Sequence, residues 1–165
     1  SILRTYTGPM PAWVAKHHEA EQVAALLVQF RDHNGCSTPS ANAFLAGVER
    51  LMDDRDTEFL LASVEEDSES LAVSQLRFRW GIWRAGGDCL VEDVFVAESA
   101  RGKGLGRELL TLATERALER GCRRMELDTA EDNAAALGLY HSFGFFERKS
   151  PEHPRDLYLR RHLGD

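Results

Sequence analysis

A chain of 165 residues that is 43% hydrophobic and 28% charged can bury one substantial core and lacks the bias of a disordered, fibrous or membrane-spanning class. Its formal charge of −7 argues against a nucleic-acid partner and favours a cationic small molecule. Cys36, Cys89 and Cys122 are odd in number and form no close pair, which fits reduced thiols in a cytoplasmic protein. No apolar run reaches membrane-spanning length and no signal-peptide pattern opens the chain.

Taken in order, Ser1 to Met10 lacks periodicity and reads as a loose arm, and Ala12 to Ala15 as a short strand. His18 to His33 has Val23, Leu26, Leu27 and Phe30 on one helical face and Asn34-Gly35 as its stop. His17 and His18 are neighbours without a Cys or His at ligand spacing. They read as surface histidines, with no metal site. Thr38-Pro39 supplies an N-cap and first turn for a second helix carrying Phe44, Leu45, Val48, Leu51 and Met52.

Strands are predicted over Glu58 to Glu65 and Leu71 to Trp80, joined by the polar stretch Glu66 to Ser70. Arg77, Phe78, Arg79 and Trp80 alternate by type, as on a half-exposed strand. Gly81 and Gly86-Gly87 flank a loop before a strand over Cys89 to Val96. Trp80 and Trp83 either frame a substrate entrance or pack at an edge. No repeat or linker interrupts the chain, so residues 1–165 read as a single domain.

The stretch Val91 to Gly121 organises the rest. A buried strand is followed by Arg101-Gly102-Lys103-Gly104-Leu105-Gly106, then by a helix with Leu105, Leu109, Leu112, Ala113 and Ala117 on one face and Gly121 as its stop. Unpaired N–H groups at a helix start, with Arg101 and Lys103 beside them, suit an anion such as a pyrophosphate. A nucleotide P-loop would need Ser or Thr after Lys103, where Gly104 stands. A dinucleotide fingerprint would need glycine at Arg107, although Glu126 stands where its acidic residue belongs. A third reading is the acyl-CoA signature R-x-x-G-x-G, formed by Arg101, Gly104 and Gly106; a ligand-free glycine turn is the fourth. Downstream, Met125 to Thr129 reads as a strand and Asn133 as the cap of a short helix ending near Ser142. Gly144 lets the chain leave that helix, and Phe145 to Lys149 with Asp156 to Arg160 read as a last strand pair.

Val94-Phe95-Val96, four linking residues, then Arg101 to Gly106 resembles the central motif of the GNAT superfamily of acyl-CoA-dependent N-acyltransferases, and Leu127, Asp128, Asn133, Leu139, Tyr140 and Phe143-Gly144-Phe145 continue the similarity. The resemblance implies an α/β fold, a mixed sheet with helices on both faces, whose fourth and fifth strands diverge to hold acetyl-CoA. It implies cofactor contacts from Val94, Phe95, Val96, Arg101, Gly102, Lys103, Gly104, Leu105, Gly106, Arg107 and Asn133, with carbonyl polarisation by the N–H groups of Phe95 and Val96. It implies that Tyr140 is the acid for the leaving thiolate, and that the second helix walls the acceptor pocket. It also allows a homodimer through Leu157 to Leu159.

Glu92 and Asp93 are adjacent on a strand and are expected on opposite faces. Glu92 is the favoured base, as in the small-amine and polyamine members the motif resembles. A structural carboxylate is the plainer reading of the same residue. The expected activity is acetyl transfer from acetyl-CoA to the primary amine of a small cationic molecule, by direct attack in a ternary complex, since no cysteine matches a nucleophile position. Peptide or protein N-acetylation and a non-catalytic acyl-CoA-binding domain are the alternatives.

Overall fold

The structure, a computed structural model, describes residues 11–164; the expected N-terminal arm lies outside them. Five strands line up in chain order: β1 (Ala12–Val14), β2 (Thr57–Ala62), β3 (Ala72–Gly81), β4 (Gly86–Val96) and β5 (Cys122–Glu126). The first four pair antiparallel and β5 joins β4 in parallel, so the sheet is mixed, as expected. The helices are α1 (Ala20–His33), α2 (Ala41–Met52), α3 (Leu105–Glu119) and α4 (Ala134–Ser142). Two compact units divide the chain, one ending at Glu126 and the other beginning at Leu127.

In the first unit, β2 is buried at every position, as expected of a strand covered on both faces. Phe59 and Leu61, with Val73 and Phe95, pack against Val23, Leu26 and Leu27 of α1 and Val48 of α2. The intervening residues, Leu60 of β2 and Leu76 of β3, point to the other face. There α3 lays down Leu109, Leu110, Ala113 and Ala117, all buried. Glu58, on that same face, is buried and holds α3 through Arg116 (Nε to Oε1, 2.6 Å; Nη2 to Oε2, 3.0 Å) and Arg120 (Nε to Oε2, 3.2 Å).

Two irregularities shape β4. Gln75 pairs with Asp93 and Leu76 with Val91, which leaves Glu92 as the extra residue of a β-bulge. The pairing with β5 ends at Leu90 and Glu126, so Val91 to Val96 have no β5 residue alongside.

Several expected boundaries move. Ser40, not Thr38, caps α2, its Oγ accepting from the Ala43 N–H at 3.1 Å; the Thr38-Pro39 bond is cis and precedes the cap. Gly86 and Gly87 belong to β4, and β5 starts at Cys122 rather than Met125. The reason is that Gly121, with φ +73°, turns the chain straight from α3 into the strand.

In the second unit, Asn133 caps α4 by accepting from the Ala136 N–H at 3.2 Å, as expected. Gly144 leaves the helix at φ +85°. The expected final strand pair does not form. One backbone bond, Asp156 N–H to Glu147 C=O at 2.7 Å, joins the two segments, and no strand follows β5 among the described residues. Leu157 and Leu159 remain 73% and 86% exposed. Their apolar pattern finds nothing to bury against, and a strand without a ladder has little to hold it.

Candidate functional site

The glycine-rich connection leaves β4 through a single 3-10 turn, Glu98–Ala100. Gly102 and Gly104 then take φ of +79° and +83°. Nothing would crowd a Cβ at either, so the demand for glycine is conformational: the left-handed region costs an L side chain about 1–2 kcal/mol. Gly104 stands at the N-cap of α3 and offers no capping side chain, so the first N–H groups of the helix face outward with the positive end of its dipole. Leu105 is buried and pins the turn, whereas Arg101, Lys103 and Arg107 are exposed around it. Arg101 folds back over β4, its Nε 3.4 Å from the Val96 carbonyl and its Nη2 3.5 Å from His33 Nδ1. Charge, exposed donors and absent Cβ atoms together fit the diphosphate of a CoA.

The ladder decides which main-chain groups of β4 are available. Ala97 donates to the Leu71 carbonyl at 2.7 Å. Counting inward through the register, the groups of Phe95 and Asp93 turn to β3, and those of Val94 and Val96 turn to the edge that β5 has left. Arg101 reaching the Val96 carbonyl from that side agrees. The sequence-based donors were Phe95 and Val96. The Val96 N–H faces the open edge, whereas the Phe95 N–H turns into the sheet and its ring stacks on Phe30, centroids 5.1 Å apart. Val94 takes its place at the edge.

The bulge also revises the carboxylates. The register puts Asp93 beside Gln75 on the Phe59 side of the sheet. Glu92 lies on that side too, its Oε1 3.5 Å from Nη1 of Arg77. Strict alternation would have separated Glu92 from Asp93; the extra residue removes it.

Sequence reasoning missed an ionic cluster on this side of the sheet, toward the β3–β4 hairpin. Asp88, 3% exposed, has Oδ2 3.0 Å from Nη2 of Arg124 and 3.8 Å from Nε of Arg79, and Oδ1 3.9 Å from Nε of Arg84. Glu126 pairs with Arg79 and Arg124. A cleft of about 530 Å³ opens among Arg79, Arg84, Arg124, Asp88, Ile82 and Trp83. The alternation of Arg77 and Arg79 was the available signal; Asp88 and Arg124 carried none until β5 was placed beside β4. Trp80 and Trp83 are 67% and 95% exposed, which disagrees with edge packing.

In the second unit Tyr140 is buried on α4 and meets the Phe145 ring edge-on, centroids 6.3 Å apart. His141 and Glu147 pair at 2.9 Å, and Arg160 reaches Asp128 at 3.1 Å. Asn133 is engaged as the α4 cap. Among the described residues no helix is long and apolar enough to cross a membrane.

A sequence profile described as Acetyltransferase (GNAT) family matches residues 13–145. The chain is 30% identical over 147 residues to a mycothiol acetyltransferase of Corynebacterium aurimucosum, covering 87% of this chain and 48% of that protein. It thus spans about half the length of that relative. It is 29% identical over 135 residues to the uncharacterized N-acetyltransferase YhfO of Bacillus subtilis, covering 81% and 87%. Among solved structures, a protein of Arthrobacter sp. FB24 superposes with a TM-score of 0.81 at 25% identity, over 92% of this chain and 95% of that one.

Proposed function

The chain belongs to the acetyltransferase (GNAT) family, and from that premise we propose that it moves an acetyl group from acetyl-CoA to the primary amine of a small cationic molecule. The amine attacks directly in a ternary complex, and residues 1–165 act as a single N-acetyltransferase domain. The observation that carries the reading is continuity: the edge of β4 freed beyond Leu90 runs from the Glu92 bulge straight into the glycine turn and the uncapped start of α3. One end suits a nucleophile's proton and the other a diphosphate.

The residues divide the chemistry. Gly102, Lys103, Gly104 and Arg101 hold the diphosphate, helped by the first N–H groups of α3. The outward N–H groups of Val94 and Val96 lie along the pantetheine arm and polarise the thioester carbonyl. An alkyl ammonium has a pKa near ~10, so at about pH 7 it must lose a proton before it can attack. Glu92 accepts that proton, directly or through water, with Arg77 orienting its carboxylate. Tyr140 hydrogen-bonds the departing thiolate. Full proton transfer from a phenol (about 10) to a thiolate (about 8.5) is uphill by roughly 2 kcal/mol, so charge stabilisation is the larger part of its help. A small cationic acceptor is supported by the acidic composition. It is also supported by a Bos taurus relative, 31% identical over 67 residues and 41% of this chain, which bears the name thialysine N-epsilon-acetyltransferase.

Release of free thiol from acetyl-CoA over an amine panel tests this reading. Tyr140→Phe is expected to lower kcat by about 10-fold or more with the affinity for acetyl-CoA kept. Glu92→Gln is expected to lower kcat/KM by about 100-fold at neutral pH, the deficit shrinking as pH rises toward the amine's own pKa. Normal turnover in both variants would remove the acid and base roles together.

A further inference from the structure

The free edge of β4 begins at one rung, and the side chains around that rung are ionic. On the Phe59 side of the sheet, the register sets Arg79, Asp88 and Arg124 in one row across β3, β4 and β5, and Arg77, Leu90 and Glu126 in the next. That second row is the last in which β4 and β5 pair. Glu126 is also the final residue of the first unit.

Arg79 reaches beyond its own row. Its Nη2 donates to Glu126 Oε2 at 3.4 Å, while its Nε stands 3.8 Å from Asp88 Oδ2. Strands β3 and β5 lie on opposite edges of β4, so this bond spans the strand between them. Arg124 joins from β5, with Nη2 3.0 Å from Asp88 Oδ2 and in contact with Glu126. Arg84 Nε faces Asp88 Oδ1 at 3.9 Å, so the buried carboxylate meets a guanidinium at each oxygen. The cluster is a structural clasp, and its place on the ladder gives it a consequence.

Parallel pairing is slightly weaker per residue than antiparallel pairing. The β4–β5 ladder runs from Gly87 to Leu90, with an irregularity after Gly87. A ladder that short frays at its end unless side chains hold it. On this face β5 presents Arg124 and Glu126 in place of apolar residues, so ions do the holding. The rung at which β5 departs also determines where the open edge carrying the Val94 and Val96 N–H groups begins.

We infer that Arg79 and Glu126 are positioning residues, whose bond across β4 fixes the rung at which β5 departs and holds the open edge in the geometry the thioester requires. This rests on the acetyl-transfer reading above and deepens it. Both residues act through the backbone of β4 and β5. Turnover is sensitive to such a device, because a misplacement of about 1 Å can cost about 100-fold. The diphosphate is held elsewhere, at the glycine turn beyond Val96, so cofactor affinity does not depend on the clasp.

Arg79→Gln, Glu126→Gln and the double variant test this with two readouts. Hydrogen–deuterium exchange with mass spectrometry follows the β5 peptide. Either single change is expected to speed its exchange about 10-fold, with the α3 peptide unchanged. In thiol release with the best amine of the panel, each is expected to lower kcat about 10-fold and leave the Kd for acetyl-CoA unchanged. The double variant is expected to fall short of the product of the two single effects, since they share one bond. Parent-like β5 exchange in both single variants overturns the inference, as does parent-like kcat. So do fully multiplicative effects in the double variant, or an acetyl-CoA affinity that falls as far as kcat. A parent chain that acetylates no amine of the panel overturns the acetyl-transfer reading instead, and the exchange measurement still decides the clasp.

Discussion

Cys89 shows how one side chain's surroundings decide its chemistry. It lies on the α3 side of β4 with no exposed surface, beside the buried Glu58 network. Burial, reinforced by Cys122 and by Glu58, pushes its thiol from 9.0 up to about 12. A thiol held neutral this firmly is a poor nucleophile, in keeping with direct attack rather than an acyl-enzyme. In the native protein the exposed Cys36 is expected to react promptly with an aromatic disulfide reagent, and Cys89 only on unfolding. The linkage has a definite sign. Below about pH 9 the thiol is neutral whether folded or unfolded; above it only the unfolded thiol ionises. The stability it confers is therefore complete below pH 9 and lost progressively as pH rises toward 12. Urea midpoints measured across that window are expected to fall more steeply in the parent chain than in Cys89→Ala.

The α3 helix is held at both ends by different physics. At its start, backbone conformation and the dipole prepare an open terminus. Toward its end, Arg116 and Arg120 close on Glu58, and the hydrogen bond to Glu58 is the main reason the Arg116 guanidinium holds its proton more tightly than usual. Removing one partner of a buried pair leaves the other charge uncompensated, typically at a cost of about 3–5 kcal/mol. Arg120 still contacts Glu58, so Arg116→Met is expected at the lower end, about 3 kcal/mol by urea denaturation. Glu58→Gln with Arg116→Met together should cost less than the sum of the two single changes, since each single change already breaks the Arg116–Glu58 pair and the double variant loses it only once.

For the molecule as a whole, ligand linkage is the simplest readout. Acetyl-CoA at about 100 times its Kd stabilises the native state by roughly 2.7 kcal/mol, which for a chain of this size raises Tm by several degrees. NAD at the same concentration is expected to leave Tm unchanged, because the glycine turn lacks the third glycine of a dinucleotide fingerprint at Arg107. Tm curves with each ligand check both expectations at once.

Much at this scale was readable along the chain, because it depends on neighbours in sequence. Helical spacing announced α1, α2 and α3, positive-φ glycines marked the α3 start and stop, and Asn133 declared the α4 cap. Tyr140 and Glu92 could be singled out as candidates, though not their orientation. Pairing between distant segments was not readable. A single inserted residue at Glu92 reversed the expected relation of two adjacent carboxylates, and ladder parity turned the Val94 N–H, not that of Phe95, toward the free edge. Asp88 met Arg124 only once β5 took its register beside β4. Local periodicity is written in consecutive residues, whereas register is a choice between strands, and side chains inherit their partners from that choice.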